Sequence, residues 1–271
     1  MMTDPDTAVQ GARAAGISYL RRSGNGAALI LLHGIGSNAE SWAPLMAALD
    51  PTVDAIAWDA PGYGGSDPLT DAAPTPTQYA VALAEFLDAL KLDRVGLVGH
   101  SLGCLFAVRF AVAYPNRVAT LALLSPALGY GIGAGETLPP SVQARIDDLE
   151  HLGAAEFAAR RAPRLVHRPE AKPDVLEAVR RAMAEVKPLG YAQAVHALGS
   201  GTLLADAGRI ATPTLVAVGA HDVITPPANA QSVYDALAQR LGLHIVPDAG
   251  HALPQEAPSL VAQLITEETN V

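Results

Sequence analysis

The pentapeptide Gly99-His100-Ser101-Leu102-Gly103 joins an apolar run, Val95–Val98, to the helical pattern Leu102–Tyr114. A serine on so sharp a strand-to-helix turn lifts its hydroxyl clear of a sheet. It also sits at a helix N-terminus, where backbone N–H groups favour negative charge. Side chains two residues to either side would collide in such a turn, which accounts for glycine at 99 and 103. A serine hydroxyl at its ordinary pKa is a weak nucleophile, so the chemistry requires a base, and an acid to orient that base. Among eight histidines, His251 lies in Asp248-Ala249-Gly250-His251-Ala252, after the last strand-like run and before the closing helix. Asp222 lies in Gly219-Ala220-His221-Asp222-Val223, after the preceding strand. Loops that follow parallel strands share one edge of the sheet, so Ser101, Asp222 and His251 are expected together there, in that chain order. The chemistry is acyl transfer, with Ser101 as nucleophile, His251 as base and Asp222 as the orienting acid.

Acyl transfer also needs N–H donors aimed at an oxyanion. The run Ala28–His33 ends in His33-Gly34-Ile35-Gly36-Ser37, whose glycines let the backbone fold back over a nucleophile, so the Ile35 and Leu102 N–H groups are the expected pair. Other candidates have plainer readings. His33 and His100 belong to the turns, and His151, His167 and His196 read as solvated or pocket-wall residues. His244 lies in a strand and reads as packed, Asp59 as part of a structural turn, and Cys104 as a small core residue. No histidine, cysteine and carboxylate cluster has metal-ligand spacing and no dinucleotide fingerprint follows a strand, so no cofactor and no metal are expected.

The elements around these residues alternate between strand-length apolar runs and helical patterns, as in a mostly parallel sheet covered on both faces. Strands are expected at Ile17–Arg22, Ala28–His33, Val53–Asp59, Val95–Val98, Val118–Leu124, Thr214–Val218 and Leu243–Val246. Helices are expected at Ser41–Leu49, Thr77–Leu90, Leu102–Tyr114, Ala228–Leu241 and Pro258–Glu267. From Ala127 to Arg209 the rhythm changes to four amphipathic segments, Ser141–Leu152, Ala155–Val166, Pro173–Val186 and Leu189–Leu198. This divides the chain into a core α/β domain of two segments, 1–126 and 210–271, with a helical insertion at 127–209. Apolar stripes at Val142, Ile146 and Leu149, and at Val175, Val179 and Met183, are expected to face a pocket or a neighbouring helix. The pocket lining should then be mainly Leu, Val, Met and Ala, suited to a small-molecule substrate with a compact hydrophobic portion. The Arg160-Arg161-Ala162-Pro163-Arg164 stretch reads as a solvated face, unless one arginine turns inward to bind an acidic group.

With 18 basic against 27 acidic residues and a net charge of −9, the chain is not expected to bind nucleic acid or anionic membrane surfaces. Half its 271 residues are hydrophobic and 17% are charged, which excludes disorder. A single cysteine allows no internal disulfide. The N-terminal MMTDPDTAVQ has no apolar core of a secretion signal, and Val95–Ala113 is interrupted by His100, Ser101 and Arg109, so a cytoplasmic location is expected.

Taken together, HGIGS, DAPGYGGSDP, GHSLG, GAHDVITPP and DAGHALP resemble the α/β-hydrolase superfamily, over about Ile17–Pro126 and Ile210–Glu267. The resemblance implies an α/β fold with an eight-stranded, mostly parallel sheet and a helical cap formed by 127–209. Within the superfamily the strings are similar to carboxylesterases, enol-lactonases and carbon–carbon hydrolases of meta-cleavage products. Those last enzymes carry an asparagine before the nucleophile and a tryptophan after the catalytic histidine, where this chain has His100 and Ala252. The expected activity is a cofactor-independent serine hydrolase acting on an ester or lactone. The alternatives are a carbon–carbon hydrolase acting on a dioxo-acid or β-diketone, and a ligand receptor of the same fold.

Overall fold

The computed structural model describes residues 8–133 and 136–269. The N-terminal reading above falls partly on residues 1–7, outside them. Eight strands form one sheet: β1 (Gln10–Ala14), β2 (Ile17–Arg22), β3 (Ala28–Leu32), β4 (Asp54–Trp58), β5 (Val95–His100), β6 (Val118–Leu124), β7 (Thr214–Gly219) and β8 (Arg240–Val246). They lie in the order β1-β2-β4-β3-β5-β6-β7-β8. β1 pairs antiparallel with β2 and β2 with β4, while every later pairing is parallel.

The alternation of strand side chains explains the two cores. In β3, Ile30 and Leu32 join one apolar cluster and Leu29 and Leu31 the other, because successive residues point to opposite faces. The first cluster is closed by α2 (Pro76–Ala89), α3 (Leu102–Ala113) and, further along, α8 (Pro227–Ala236). The second is closed by α1 (Ala43–Ala48) and α10 (Pro258–Thr269). Burial on both faces is why ALILL is apolar throughout rather than alternating.

Between β6 and β7 the described chain has no strand. It forms α4 (Pro140–Arg161), α5 (Pro173–Ala184), α6 (Pro188–Ser200) and the short α7 (Leu203–Ala207). The expected segments Ser141–Leu152 and Ala155–Val166 meet in α4 as two helical stretches separated at Gly153, whose φ of 71° interrupts the helix. The second ends at Arg161 and passes into a short 3-10 turn over Ala162–Arg164. The Val142, Ile146 and Leu149 stripe is buried, as are Val179 and Met183.

Several boundaries differ from the sequence expectation. β1 has no apolar signal because it is an edge strand exposed along most of its length. The helix expected over Ala228–Leu241 stops at Ala236, where Leu237 turns extended, and β8 starts at Arg240. As the other edge strand, half exposed, β8 lacks the continuous apolar run that marks the central strands. α7 and a four-residue helix, α9 (Leu253–Glu256), are too short to carry a periodic signal.

Candidate active site

β5 ends at His100, and Ser101 takes φ 53° and ψ −114° before α3 begins at Leu102. This left-handed backbone is costly for a non-glycine residue and is held by its surroundings. The Ser101 N–H donates to the Leu124 carbonyl at 2.9 Å, and its own carbonyl accepts from Cys104 N–H at 3.1 Å and Ala127 N–H at 3.3 Å. A Cβ at Gly99 would lie 2.7 Å from the Gly103 carbonyl oxygen, and one at Gly103 would collide with the β3 backbone at Leu32. The β3 loop passes directly over the serine, since a Cβ at Gly34 would come within 2.9 Å of Ser101 Cβ. The Ile35 and Leu102 N–H groups meet no acceptor among the described residues. The neighbouring Gly36 N–H is taken by the Tyr63 hydroxyl at 3.4 Å.

The loops after β7 and β8 bring Asp222 and His251 together. His251 Nδ1 lies 2.9 Å from Asp222 Oδ2, with both side chains buried. The other carboxylate oxygen, Oδ1, accepts from the Ile224 and Thr225 N–H groups at 2.8 Å each. The Thr225 hydroxyl lies 2.9 Å from Asp222 Oδ2, 3.1 Å from His251 Nδ1 and 3.0 Å from the Ser125 carbonyl, so its single proton serves only one acceptor at a time. Burial works against the charge on Asp222. The hydrogen bond and field of His251, then the two amides, outweigh it and hold the carboxyl down at about 2. Asp222 is therefore ionised at neutral pH and fixes Nδ1 as the protonated nitrogen of His251, leaving Nε2 as the basic one.

Ser101 and His251 border one cavity of about 360 Å³. Its wall is made partly by β-edge residues such as Ile35, Val223 and Ile224, and partly by the inserted helices, through Arg145, Arg161, Arg164, Met183 and Tyr191. The expected aliphatic lining is present, but three guanidinium groups and two tyrosines, Tyr130 and Tyr191, join it. Among the described residues no carboxylate lines this cavity, although the chain carries 27 acidic residues. Burial is the first influence lowering the Arg161 pKa, with Arg145 and Arg164 adding like-charge repulsion against the fields of Tyr191 and Asp148. Arg161 also stacks 5.0 Å from the centroid of the Phe157 ring and lies 3.6 Å from Asp148.

The profile of the alpha/beta hydrolase family matches residues 29–264. The chain belongs to this family. A Bacillus subtilis (strain 168) relative, provisionally named a 2-succinyl-6-hydroxy-2,4-cyclohexadiene-1-carboxylate synthase, is 30% identical over 248 residues, covering 89% of each chain. The 2-hydroxy-6-oxo-6-phenylhexa-2,4-dienoate hydrolase of Comamonas testosteroni is 34% identical over 125 residues, covering 45% of this chain and 43% of that one. Among solved structures, the thermophilic esterase of Thermogutta terrifontis, determined with malate bound, superposes with a TM-score of 0.83 at 26% identity. It covers 95% of this chain and 97% of the esterase.

Within this alpha/beta hydrolase, His100 does more than complete a turn. Its Nε2 lies 2.7 Å from the His251 carbonyl oxygen, so Nε2–H donates to the backbone of the neighbouring histidine. Burial, then the nearby His251, push the His100 pKa down to about 3, which keeps the ring neutral. Its partner is a backbone oxygen far along the chain, so nothing local in the sequence signals the contact. Thr225 was signalled only by its spacing of three from Asp222, a common side-chain-to-backbone turn. His33 is a buried structural residue, with Nε2 accepting from Ala60 N–H at 3.0 Å and Nδ1 donating to the Gly34 carbonyl at 2.8 Å. Asp59 accepts from Ala39 N–H at 2.9 Å as part of a turn. His244 is half exposed and paired with Glu268 rather than packed. Burial pushes the Cys104 thiol well above its ordinary pKa, as suits an inert core residue.

Ligand atoms of His167, His221 and Asp248 lie within 4.8 Å of one another. The two imidazoles stack 3.8 Å apart with planes at 7°, so their in-plane lone pairs run parallel instead of converging on one ion. The Arg168 guanidinium already bridges His167 and Asp248. That cluster is an ion-paired stack, not a metal cage. No helix among the described residues is long and apolar enough to cross a membrane.

Proposed function

We propose that this alpha/beta hydrolase is a cofactor-independent serine hydrolase of esters or lactones whose acyl or ring portion carries a carboxylate. The observation that supports it best is that His251, buried and paired with Asp222, borders the same cavity as the strained Ser101. Ser101 Oγ attacks the substrate carbonyl while its proton passes to His251 Nε2. The Ile35 and Leu102 N–H groups take the developing oxyanion. As the tetrahedral intermediate collapses, the carbonyl–alkoxy bond breaks and His251 returns the proton to the leaving oxygen. Water, deprotonated by the same nitrogen, then attacks the acyl carbon, and as the bond to Ser101 Oγ breaks His251 returns that proton to Oγ and the acid is released. Asp222 holds the His251 tautomer and offsets the positive charge His251 acquires.

In this reading residues 127–209 are a helical cap between core segments 1–126 and 210–271. The cap supplies Arg145, Arg161 and Arg164. Three cations, with no carboxylate among the described residues of the cavity wall, suit an anionic ligand, since charge-assisted and bidentate guanidinium contacts are the strong ones in a partly dried site. The carboxylate in the product named for the Bacillus relative is of that chemistry. Ser101→Ala should leave the fold intact and reduce hydrolysis of p-nitrophenyl esters to below about a hundredth of wild type. A fluorophosphonate should label Ser101 and nothing else. Retained turnover in Ser101→Ala sinks the assignment.

The arginines also support a second reading, in which the same triad cleaves a carbon–carbon bond beside a ketone in a dioxo-acid, the chemistry named for the Comamonas relative. His100, committed to the His251 backbone, occupies the place of the asparagine found in such enzymes. Comparing turnover of a carboxylate-bearing aryl ester with that of a ring-fission dioxo-acid separates the two readings.

A further inference from the structure

Residues 162–172, between α4 and α5, touch both the substrate cavity and the loop carrying His251. Arg164 and Leu165 line the cavity. A few residues on, the same segment is bound to the catalytic loop. The Leu165 carbonyl accepts from Ala252 N–H at 2.8 Å, and Lys172 Nζ reaches the Asp248 carbonyl.

At the centre of this junction is Glu256, whose side chain is fully buried at 0% exposure. Its Oε1 accepts from Gly250 N–H, one residue before His251, at 2.8 Å. Its Oε2 accepts from His167 N–H at 2.9 Å and from Lys172 Nζ at 2.8 Å. One oxygen thus serves the catalytic loop, and the other serves the inserted segment. The two backbones are pressed together around it, since a Cβ at Gly250 would lie 2.8 Å from His167 N. Only a carboxylate meets these demands. An amide offers one acceptor to two N–H donors, and an apolar residue offers none, leaving buried amides and the Lys172 cation without partners.

We propose that Glu256 is a positioning residue for His251, coupling the seating of the cap segment 162–172 to the placement of the catalytic histidine. The proposal rests on the reading of Ser101 and His251 as nucleophile and base. The same segment carries Arg164, so an anion held there draws on the strut that fixes the base. Occupancy of the cavity and alignment of His251 then reinforce each other.

The test compares wild type, Glu256→Ala and Glu256→Gln on p-nitrophenyl acetate, well below each variant's thermal midpoint. Amide hydrogen exchange is followed over residues 162–172 and 248–253. Misplacing a catalytic group by about 1 Å costs on the order of a hundredfold. Glu256→Ala should therefore lower kcat about 10- to 100-fold with KM within about threefold, and slow fluorophosphonate labelling of Ser101 in proportion. Exchange should rise in both segments together. Glu256→Gln, keeping one acceptor, should fall between the two. A Glu256→Ala protein with a lowered midpoint but wild-type kcat and labelling rate overturns the proposal. If the alanine variant does not fold, wild-type kcat and labelling in Glu256→Gln overturn it. Absence of labelling and turnover in wild type defeats the hydrolase reading instead, and exchange still shows whether the two segments open together.

Discussion

At the sheet edge, Ser101, Asp222 and His251 hang from loops whose conformations are dictated by the strands they follow. In the inserted helices, Arg145 and Arg161 stand on α4 and Arg164 just beyond it, with nothing local marking which way they point. The first region is fixed by backbone geometry: a glycine pair that admits the turn, a positive φ at Ser101, and amides that hold Asp222. The second is fixed by the packing of helices, so its residues can change while the turn remains. In the proposed reading chemistry and selectivity are thus stored in different parts of the chain, and substitutions in each should fail differently.

The largest expected effect tests the edge. Asp222→Asn keeps the shape but lets the amide donate to His251 Nδ1, which favours the wrong tautomer and leaves the charged ring unsupported. Turnover of every ester, neutral or anionic, should drop roughly a thousandfold or more. Steady-state kinetics on a matched pair of esters measures this, and a loss confined to the anionic ester would place Asp222 in binding instead of base orientation.

Next comes the helical region. Arg161→Met combined with Arg164→Met removes two cations while keeping apolar bulk. Charge-assisted contacts are worth about 1.5–3 kcal/mol each, so kcat/KM on a carboxylate-bearing ester should fall about 100-fold or more. The corresponding methyl ester should change by less than about threefold. Equal losses on both would mean that the arginines support structure and not recognition.

The edge also carries a pH signature. His100 has a folded pKa of about 3 against an ordinary 6.5. A base held below its unfolded pKa contributes stability that is complete above about pH 6.5 and is lost as pH falls toward 3. Asp222, at about 2 against 3.8, contributes stability present above about pH 3.8 and lost as pH falls toward 2. Acid weakening should therefore start below pH 6.5 through His100, together with His33, whose pKa burial also lowers, and continue below 3.8 through Asp222. Urea midpoints from pH 7 to 4 should decline in wild type and stay flatter in His100→Asn. Parallel slopes would show that His100 is not the source.

The same contrast explains what the sequence disclosed. The central strands were legible because burial on both faces makes them continuous apolar runs, as in ALILL and TLVAV. The edge strands β1 and β8 were illegible or mis-bounded because exposure removes that signal. Ser101, Asp222 and His251 stand in turns that demand particular neighbours, and the structure brings Asp222 and His251 into contact. Nothing in the sequence around Arg145 marks it, and the stretch that holds Arg161 and Arg164 has the composition of a solvated face. A helix surface looks alike in sequence whether it meets water or a cavity. Glu256, His100 and Thr225 work through backbone groups up to 151 residues distant, and such contacts leave no local pattern.

The smallest expected effect separates two ion pairs within the junction of the regions. Lys172 and Glu256 are linked with the carboxylate wholly buried, whereas Arg168 and Asp248 pair with side chains 59% and 72% exposed. An exposed pair is worth about 0–1 kcal/mol, because water screens it and two long side chains must be ordered to form it. Arg168 also holds φ 49°, a left-handed conformation that glycine adopts freely. In Arg168→Gly the lost pair and the more flexible unfolded chain oppose the relief of backbone strain. The net change should stay below about 1 kcal/mol in either direction. Thermal melts should place its midpoint within a few degrees of wild type, with kcat on p-nitrophenyl acetate unchanged. A loss as large as that from Glu256→Ala would mean that the exposed pair, and not the buried carboxylate, holds the inserted segment on the catalytic loop.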